Sequence, residues 1–159
     1  MLALSTTTEY AIKALNCLAS GDCPTKHVSD IARCTGVPRA YLAKILSTLS
    51  RGGLVRTKRG YQGGISLARG AEDISLLQIV EAIEGKHWLA ECLLGLDDCG
   101  VHTNCPAHEF WARIRLEIIE QFRKTSLASL VTCNQARNNR ARKSAIRGRQ
   151  SGCACSRTT

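Results

Sequence analysis

The feature that most constrains this chain is a pair of short apolar-periodic segments separated by Thr35-Gly36-Val37-Pro38 and followed at once by a glycine-punctuated strand pattern. Val28, Ile31 and Ala32 give the first segment a helical period that stops near Gly36, with Ser29 or a neighbour as its cap. Pro38 is tolerated in a first helical turn, and Tyr41, Leu42, Ile45, Leu46 and Leu49 continue with helical period to about Ser50. Two short helices joined by a glycine-containing turn form a helix-turn-helix pattern. Gly52-Gly53 stops the second helix, after which Leu54 to Lys58 and Ile65 to Leu67, on either side of a Gly60 to Gly64 turn, read as a hairpin, which in this place is a wing. Ahead of these elements Tyr10, Ala11, Ala14, Leu15 and Leu18 make the stripe of an amphipathic helix from Thr7 to Ala19 that Ser5 or Thr6 would cap. The predicted fold is therefore mainly α with a small β-hairpin wing, a winged helix-turn-helix domain over residues 1–85.

Ile74, Leu77, Ile79, Val80 and Ile83 add one more helix, closed by Gly85. Residues 86–106 have no periodicity, and a loop of that length inside a small domain needs a reason. Ala107, Trp111, Ile114, Ile118 and Phe122 then hold i, i+3/i+4 spacing, widened by Phe110 and Ile119, to about Val131. So long a stripe exceeds what a domain this small can cover, and it predicts a helix-to-helix contact in a homodimer, with 107–132 as a long C-terminal dimerisation helix. Residues 133–159 are arginine-rich, and between Asn134 and Thr159 the only large aliphatic residue is Ile146, so a basic disordered tail is predicted.

Charge divides the chain along the same lines. The net charge of +9 arises in the tail, because residues 1–120 hold 13 basic and 13 acidic residues whereas 121–159 hold nine basic and none acidic. Residues 26–69 carry nine basic residues against Asp30 alone, and residues 70–120 carry three basic against ten acidic. One lobe suits a polyanion and the other does not. At the wing tip, Lys58-Arg59-Gly60-Tyr61-Gln62-Gly63-Gly64 joins cations to glycines that let backbone and guanidinium approach a phosphate backbone or a minor groove. No apolar run approaches the roughly 18 residues of a membrane span, so no membrane partner is expected. The first twenty residues have no basic n-region, so the expected compartment is the cytoplasm.

Nine cysteines in 159 residues are about 6%, fewer than a disulfide scaffold uses, and in a reducing compartment they point to metal or redox chemistry. Cys92, Cys99 and Cys105 fall in the long loop as C-x6-C-x5-C, with His102 inside it and His108 just after. Thiolates and an imidazole on one loop are the soft ligand set of zinc or an iron-sulfur cluster, and bonds to a metal would replace the missing secondary structure. Zinc sites usually show C-x2-4-C pairs, so the wider spacing favours a cluster. Cys17 and Cys34 read as small core or near-surface residues, and Cys153-Ala-Cys155 as a tail feature without an assigned role.

The motifs Leu4-Ser5-x-x-Thr8-Glu9-Tyr10-Ala11-x-x-Ala14-Leu15, Val37-x-x-x-Tyr41-Leu42, Gly53-Leu54-Val55, Arg59-Gly60-x-x-Gly63-Gly64, Ile74-Ser75-Leu76 and Ile79-Val80-x-Ala82-Ile83-Glu84-Gly85, followed by the three cysteines, occur in this order. Over about residues 1–130 the chain resembles the Rrf-type winged-helix regulators, which include iron-sulfur-biogenesis repressors and nitric-oxide sensors. The resemblance implies a homodimeric bacterial transcription regulator, a repressor in kind, that binds palindromic double-stranded operators and senses iron, nitric oxide or redox state. It implies a 2Fe-2S or 4Fe-4S cluster on Cys92, Cys99 and Cys105. The fourth ligand it implies is either His108, which matches the histidine of the repressors, or Glu9 of the partner subunit, which falls on a first-helix acid of the nitric-oxide sensors. The chain departs from both branches by one extra residue between the first two cysteines, and has Ala43 where the repressors carry a glutamate.

In such a reader the helix from Pro38 to Ser50 would offer Arg39, Ala40 and Lys44 to the major groove, with Tyr41 near the backbone and Arg39 as the base reader. Arg51, Lys58, Arg59 and Tyr61 complete the expected DNA-binding set. Two other classes remain at this stage: a zinc-stabilised or thiol-redox winged-helix regulator, and an iron-sulfur or thiol oxidoreductase. The enzyme is disfavoured because there is no C-x-x-C pair and no Walker loop, and Gly60, Gly63 and Gly64 lie in a hairpin rather than between a strand and a helix.

Overall fold

A computed structural model of the chain describes residues 4–21, 27–58, 63–89 and 105–136. Most element ends coincide with a group able to satisfy the orphaned backbone of a helix terminus. Ser5 caps α1 (Thr6–Ser20), its Oγ accepting from Thr8 N–H, and Gly21 closes that helix with φ of 71°. Helix α2 (Val28–Thr35) ends at Gly36, also at φ 71°, a left-handed conformation that glycine adopts without steric cost. Its N-cap is His27, which contributes no side-chain bond, so Ser29 lies inside the helix and is not the cap. Helix α3 (Arg39–Arg51) follows, with Pro38 as N-cap. Strands β1 (Val55–Lys58) and β2 (Gly64–Leu67) pair antiparallel with Val55 opposite Leu67 and Lys58 opposite Gly64, forming the expected hairpin.

A short 3-10 turn at Ala71–Asp73 leads into α4 (Leu76–Glu84), whose start is a capping box of Ser75 and Gln78. Ile74, expected within this helix, precedes it and is fully buried. Helix α1 packs against α2, α3, α4 and β2, and α4 packs against α3 and α5. The core between them contains Ala11, Ala14, Leu15, Ile31, Leu42, Leu49, Leu54, Ile74 and Ile79. The mostly helical architecture with a two-stranded hairpin is the winged-helix arrangement.

The C-terminal stripe is not one helix. Helix α5 (His108–Lys124) ends at Thr125, which is extended at φ -80° and ψ 112°, and a sixth helix, α6, occupies 127–136. Two helix starts satisfy each other at this break: Leu76 N–H donates to Thr125 O at 2.8 Å and Leu127 N–H to Ile74 O at 2.7 Å. Ser126 Oγ accepts from Ser129 N–H and caps α6. The break turns Leu127 into the core, where it is fully buried. Helix α6 also carries order through 136, into the region expected to be tail; residues 137–159, with Cys153 and Cys155, lie outside the described residues.

At the opposite end of α4, Glu84 reaches the first turn of α1. Its Oε1 accepts from Ser5 N–H at 3.2 Å and from the hydroxyls of Ser5 and Thr8. Burial pushes its carboxyl up, but the hydrogen bonds from Ser5 and Thr8 outweigh burial and hold it below its ordinary value of 4.5. A carboxylate whose folded pKa is depressed adds stability that is present above its unfolded pKa and lost as pH falls through the folded one. Glu84→Gln is therefore expected to flatten the loss of stability below about pH 4.5, measured by denaturant unfolding at a series of pH values, while lowering stability at neutral pH by about 1 kcal/mol.

Candidate nucleic-acid interface and metal-binding segment

Helix α3 is amphipathic with its charge on the outer side. Leu42, Ile45, Leu46 and Leu49 are buried, while Arg39, Ala40, Ala43, Lys44, Ser47 and Arg51 are exposed. Three of those six are cations, and α3 contains no carboxylate. Arg51 donates from Nη2 to Thr48 Oγ1 at 3.2 Å, so its guanidinium lies along the end of the helix. The positive surface continues onto the hairpin, where Arg56, Thr57 and Lys58 are exposed on β1. Gly52 lets α3 and the wing sit close against α4, since a Cβ there would stand 3.1 Å from Ala82 Cβ.

Of the expected DNA-binding residues, Arg39, Ala40, Lys44 and Arg51 share the outer face of α3 and Lys58 ends the adjacent strand. Arg59 and Tyr61 lie outside the described residues. Tyr41 is 38% exposed, but its hydroxyl is engaged within the fold, 2.6 Å from Thr7 Oγ1. Ala43, singled out above as the place of the repressors' glutamate, lies on this surface, as do Ser47 and Arg56, which were not among the expected DNA-binding residues. The helical period running outward from Ala40 through Ala43 was the signal for Ser47.

Of the candidate metal ligands, Cys92 and Cys99 lie outside the described residues. Cys105 is a half-buried free thiol, and His108 is the first residue of α5, its N–H donating to Cys105 O at 3.1 Å. Glu9 is exposed on α1 and ion-paired to Lys13 Nζ at 2.7 Å. Among the described residues no three His, Cys, Asp or Glu side chains converge into a set that could hold a metal. The part of the soft donor set within view, a free thiol with an imidazole three residues on, fits zinc or a cluster in chemical type. Cys17 is buried in the core beside Leu18, as expected, and Cys34 and Cys133 are exposed free thiols.

A recognition helix backed by a two-stranded wing, both positively charged outward, defines the class as a winged helix-turn-helix DNA-binding protein. Residues 4–133 match the model of the Rrf2 family, described as an iron-dependent transcriptional regulator. An HTH-type transcriptional regulator of Aquifex aeolicus is 30% identical over 133 residues, covering 82% of this chain and 92% of that one. Among solved structures, T. potens IscR superposes with a TM-score of 0.66 at 27% identity over 84% of this chain and 88% of that one. CymR, the global cysteine regulator of B. subtilis, superposes with a TM-score of 0.67 at 30% identity over 83% of this chain and 98% of that one. The chain belongs to the Rrf2 family, and it is a transcriptional regulator rather than an enzyme. Among the described residues no helix is long and apolar enough to cross a membrane.

The exposed cations of this surface give two distinguishable expectations. Arg39→Ala should cost about 1–3 kcal/mol on a duplex selected by the wild-type chain and little on an unrelated duplex. Lys58→Ala should weaken both alike and lower the salt slope of log K by about 0.9. Fluorescence-anisotropy titrations at several salt concentrations separate the two effects.

Proposed function

We propose that the chain is a homodimeric sensor-repressor, resident in the cytoplasm, whose affinity for a palindromic operator follows the state of an iron-sulfur cluster held by Cys92, Cys99, Cys105 and His108. The observation that carries this reading is the way the borders of the cysteine segment are anchored. On its near side Trp88 stacks on Phe122 of α5 with ring centroids 5.5 Å apart, and Leu89 O accepts from Arg115 Nη1 at 3.4 Å. On its far side His108 begins the same helix, and Cys105 just ahead of it accepts from His108 N–H. A ligand closing the segment would therefore bear on α5 from both ends. His108 is favoured over Glu9 of the partner subunit because it adjoins Cys105 in the same helical start, whereas the Glu9 carboxylate is already paired with Lys13. When bound, a cluster would supply sensitivity to oxidants, nitric oxide or iron supply.

A homodimer is supported by the apolar residues that α5 leaves outside. Trp111 is buried in the subunit, but Phe110 is 50% and Leu116 69% exposed. Leu116 borders a groove of about 300 Å³ that Leu77, Trp88, Leu89 and Ile119 also line. A second copy covering this face would place two α3 helices to address half-sites about one DNA turn apart. In that assembly Arg39, Ala40 and Lys44 would enter the major groove, with Arg51, Lys58, Arg59 and Tyr61 on phosphates and wing contacts. Leu116→Glu is expected to shift the chain from dimer to monomer in sedimentation velocity without unfolding it.

The direct test of the cofactor is anaerobic purification with iron, sulfide and zinc measured per chain alongside the visible spectrum. Equal iron and sulfide are expected, with absorption that bleaches in air, is lost in Cys92→Ala and Cys105→Ala, and is altered in His108→Ala but not in Glu9→Ala. A spectrum that answers to Glu9→Ala instead would assign the fourth ligand to the partner subunit. Stoichiometric zinc without iron, or no metal after reconstitution, would replace the cluster sensor by a zinc-stabilised or thiol-redox regulator.

A further inference from the structure

Tyr41 stands in the outward-facing part of α3, yet its side chain is engaged inward. Its hydroxyl lies 2.6 Å from Thr7 Oγ1, and its ring meets Tyr10 edge-on with centroids 5.9 Å apart at 84°. Thr7 and Tyr10 are three residues apart, hence neighbours on one face of α1. That turn of α1 is fixed from the other side by Glu84 of α4, through Ser5 and Thr8. Helix α3 needs such a hold, because its N-cap is Pro38 and no side chain caps it. Its first buried residue is Leu42, so Arg39 and Ala40 precede any core contact.

We infer that Tyr41 and Thr7 are positioning residues for operator binding. Their hydroxyl pair fixes the uncapped first turn of α3 to a turn of α1 that Glu84 anchors, and so sets the angle at which Arg39 and Lys44 are offered to DNA. Affinity then falls with the fraction of molecules whose α3 is in place. The inference rests on α3 being the DNA-reading helix, as argued above, and is separate from the identity of any metal. It differs from a direct contact between Tyr41 and a phosphate, in which Thr7 would have no part.

The test is a double-mutant cycle on the full chain, read as affinity for a duplex that the wild type selects from a random library. Thr7→Val and Tyr41→Phe should each weaken binding about threefold to tenfold, the double variant should be no weaker than either single one, and Thr7→Ser should restore wild-type affinity. Additive losses, or a silent Thr7→Val beside a damaging Tyr41→Phe, would overturn the inference in favour of direct contact. Arg39→Ala in the same assay separates the two levels: if it is silent, the reading of α3 fails, whereas if it weakens binding while the cycle is additive, only the positioning role fails.

Discussion

Helix α1 is the wall against which the rest of the subunit is built, and its narrow buried side is what makes this geometry attainable. Ala11, Ala14 and Leu15 are completely buried, with Cys17 and Leu18 nearly so. Two alanines three residues apart leave room for neighbouring helices, since interaxial distance follows the size of the side chains at the crossing. Helices α2, α3 and α4 all use this face. The larger side chains come from the partners, Ile31 from α2, Leu42 and Leu49 from α3 and Ile79 from α4, each fully buried and worth about 1.5–3 kcal/mol of transfer free energy. Helix α3 therefore takes its position from α1.

This dependence explains which features could be read from sequence. The stripes of α1 and α3, the glycine stops at Gly36 and Gly52-Gly53 and the hairpin after them are local patterns, and the structure forms them within a residue or two of the expected ends. The break at Thr125 was not read from the sequence, although the i, i+4 rhythm of Ile114, Ile118 and Phe122 meets the polar Thr125 and Ser126 at its next turn. What ends α5 is a backbone exchange with Ile74 and Leu76, some fifty residues distant in sequence. The inward engagement of Tyr41 and the triple acceptance by Glu84 were hidden for the same reason, as both depend on pairs separated by more than thirty residues. Within the candidate site, the exposed cations of α3 were legible from charge and period alone. The convergence of the cysteines could be read only as composition and spacing, and Cys92 and Cys99 lie outside the described residues.

The segregation of charge has a mechanical counterpart. The positive lobe, α3 and β1, presents its cations on surfaces whose opposite sides are core, so ionic attraction to DNA bears on elements that cannot yield independently of α1. The acidic lobe contains α4 and α5, where charges pair locally, as Arg123 and Lys124 do with Glu120. Such exposed pairs contribute little to stability.

On the functional reading proposed above, the two lobes must communicate, and the contacts in view supply a continuous route. The borders of the cysteine segment rest on α5, α5 packs on α4, the last residue of α4 holds the first turn of α1, and that turn holds Tyr41. A ligand at the segment changes operator affinity only by its differential affinity for two placements of this chain of contacts, and couplings of this kind are typically 1–3 kcal/mol. Individual hydrogen bonds are suited to that range, since each contributes about 1 kcal/mol net. Contacts made through the α1 core, where truncating one leucine costs several kcal/mol, would be too stiff to switch. On that reading the switchable part of the subunit would be its polar seam of Ser5, Thr7, Thr8, Tyr41 and Glu84, with the apolar interior carrying a small change at that seam to α3.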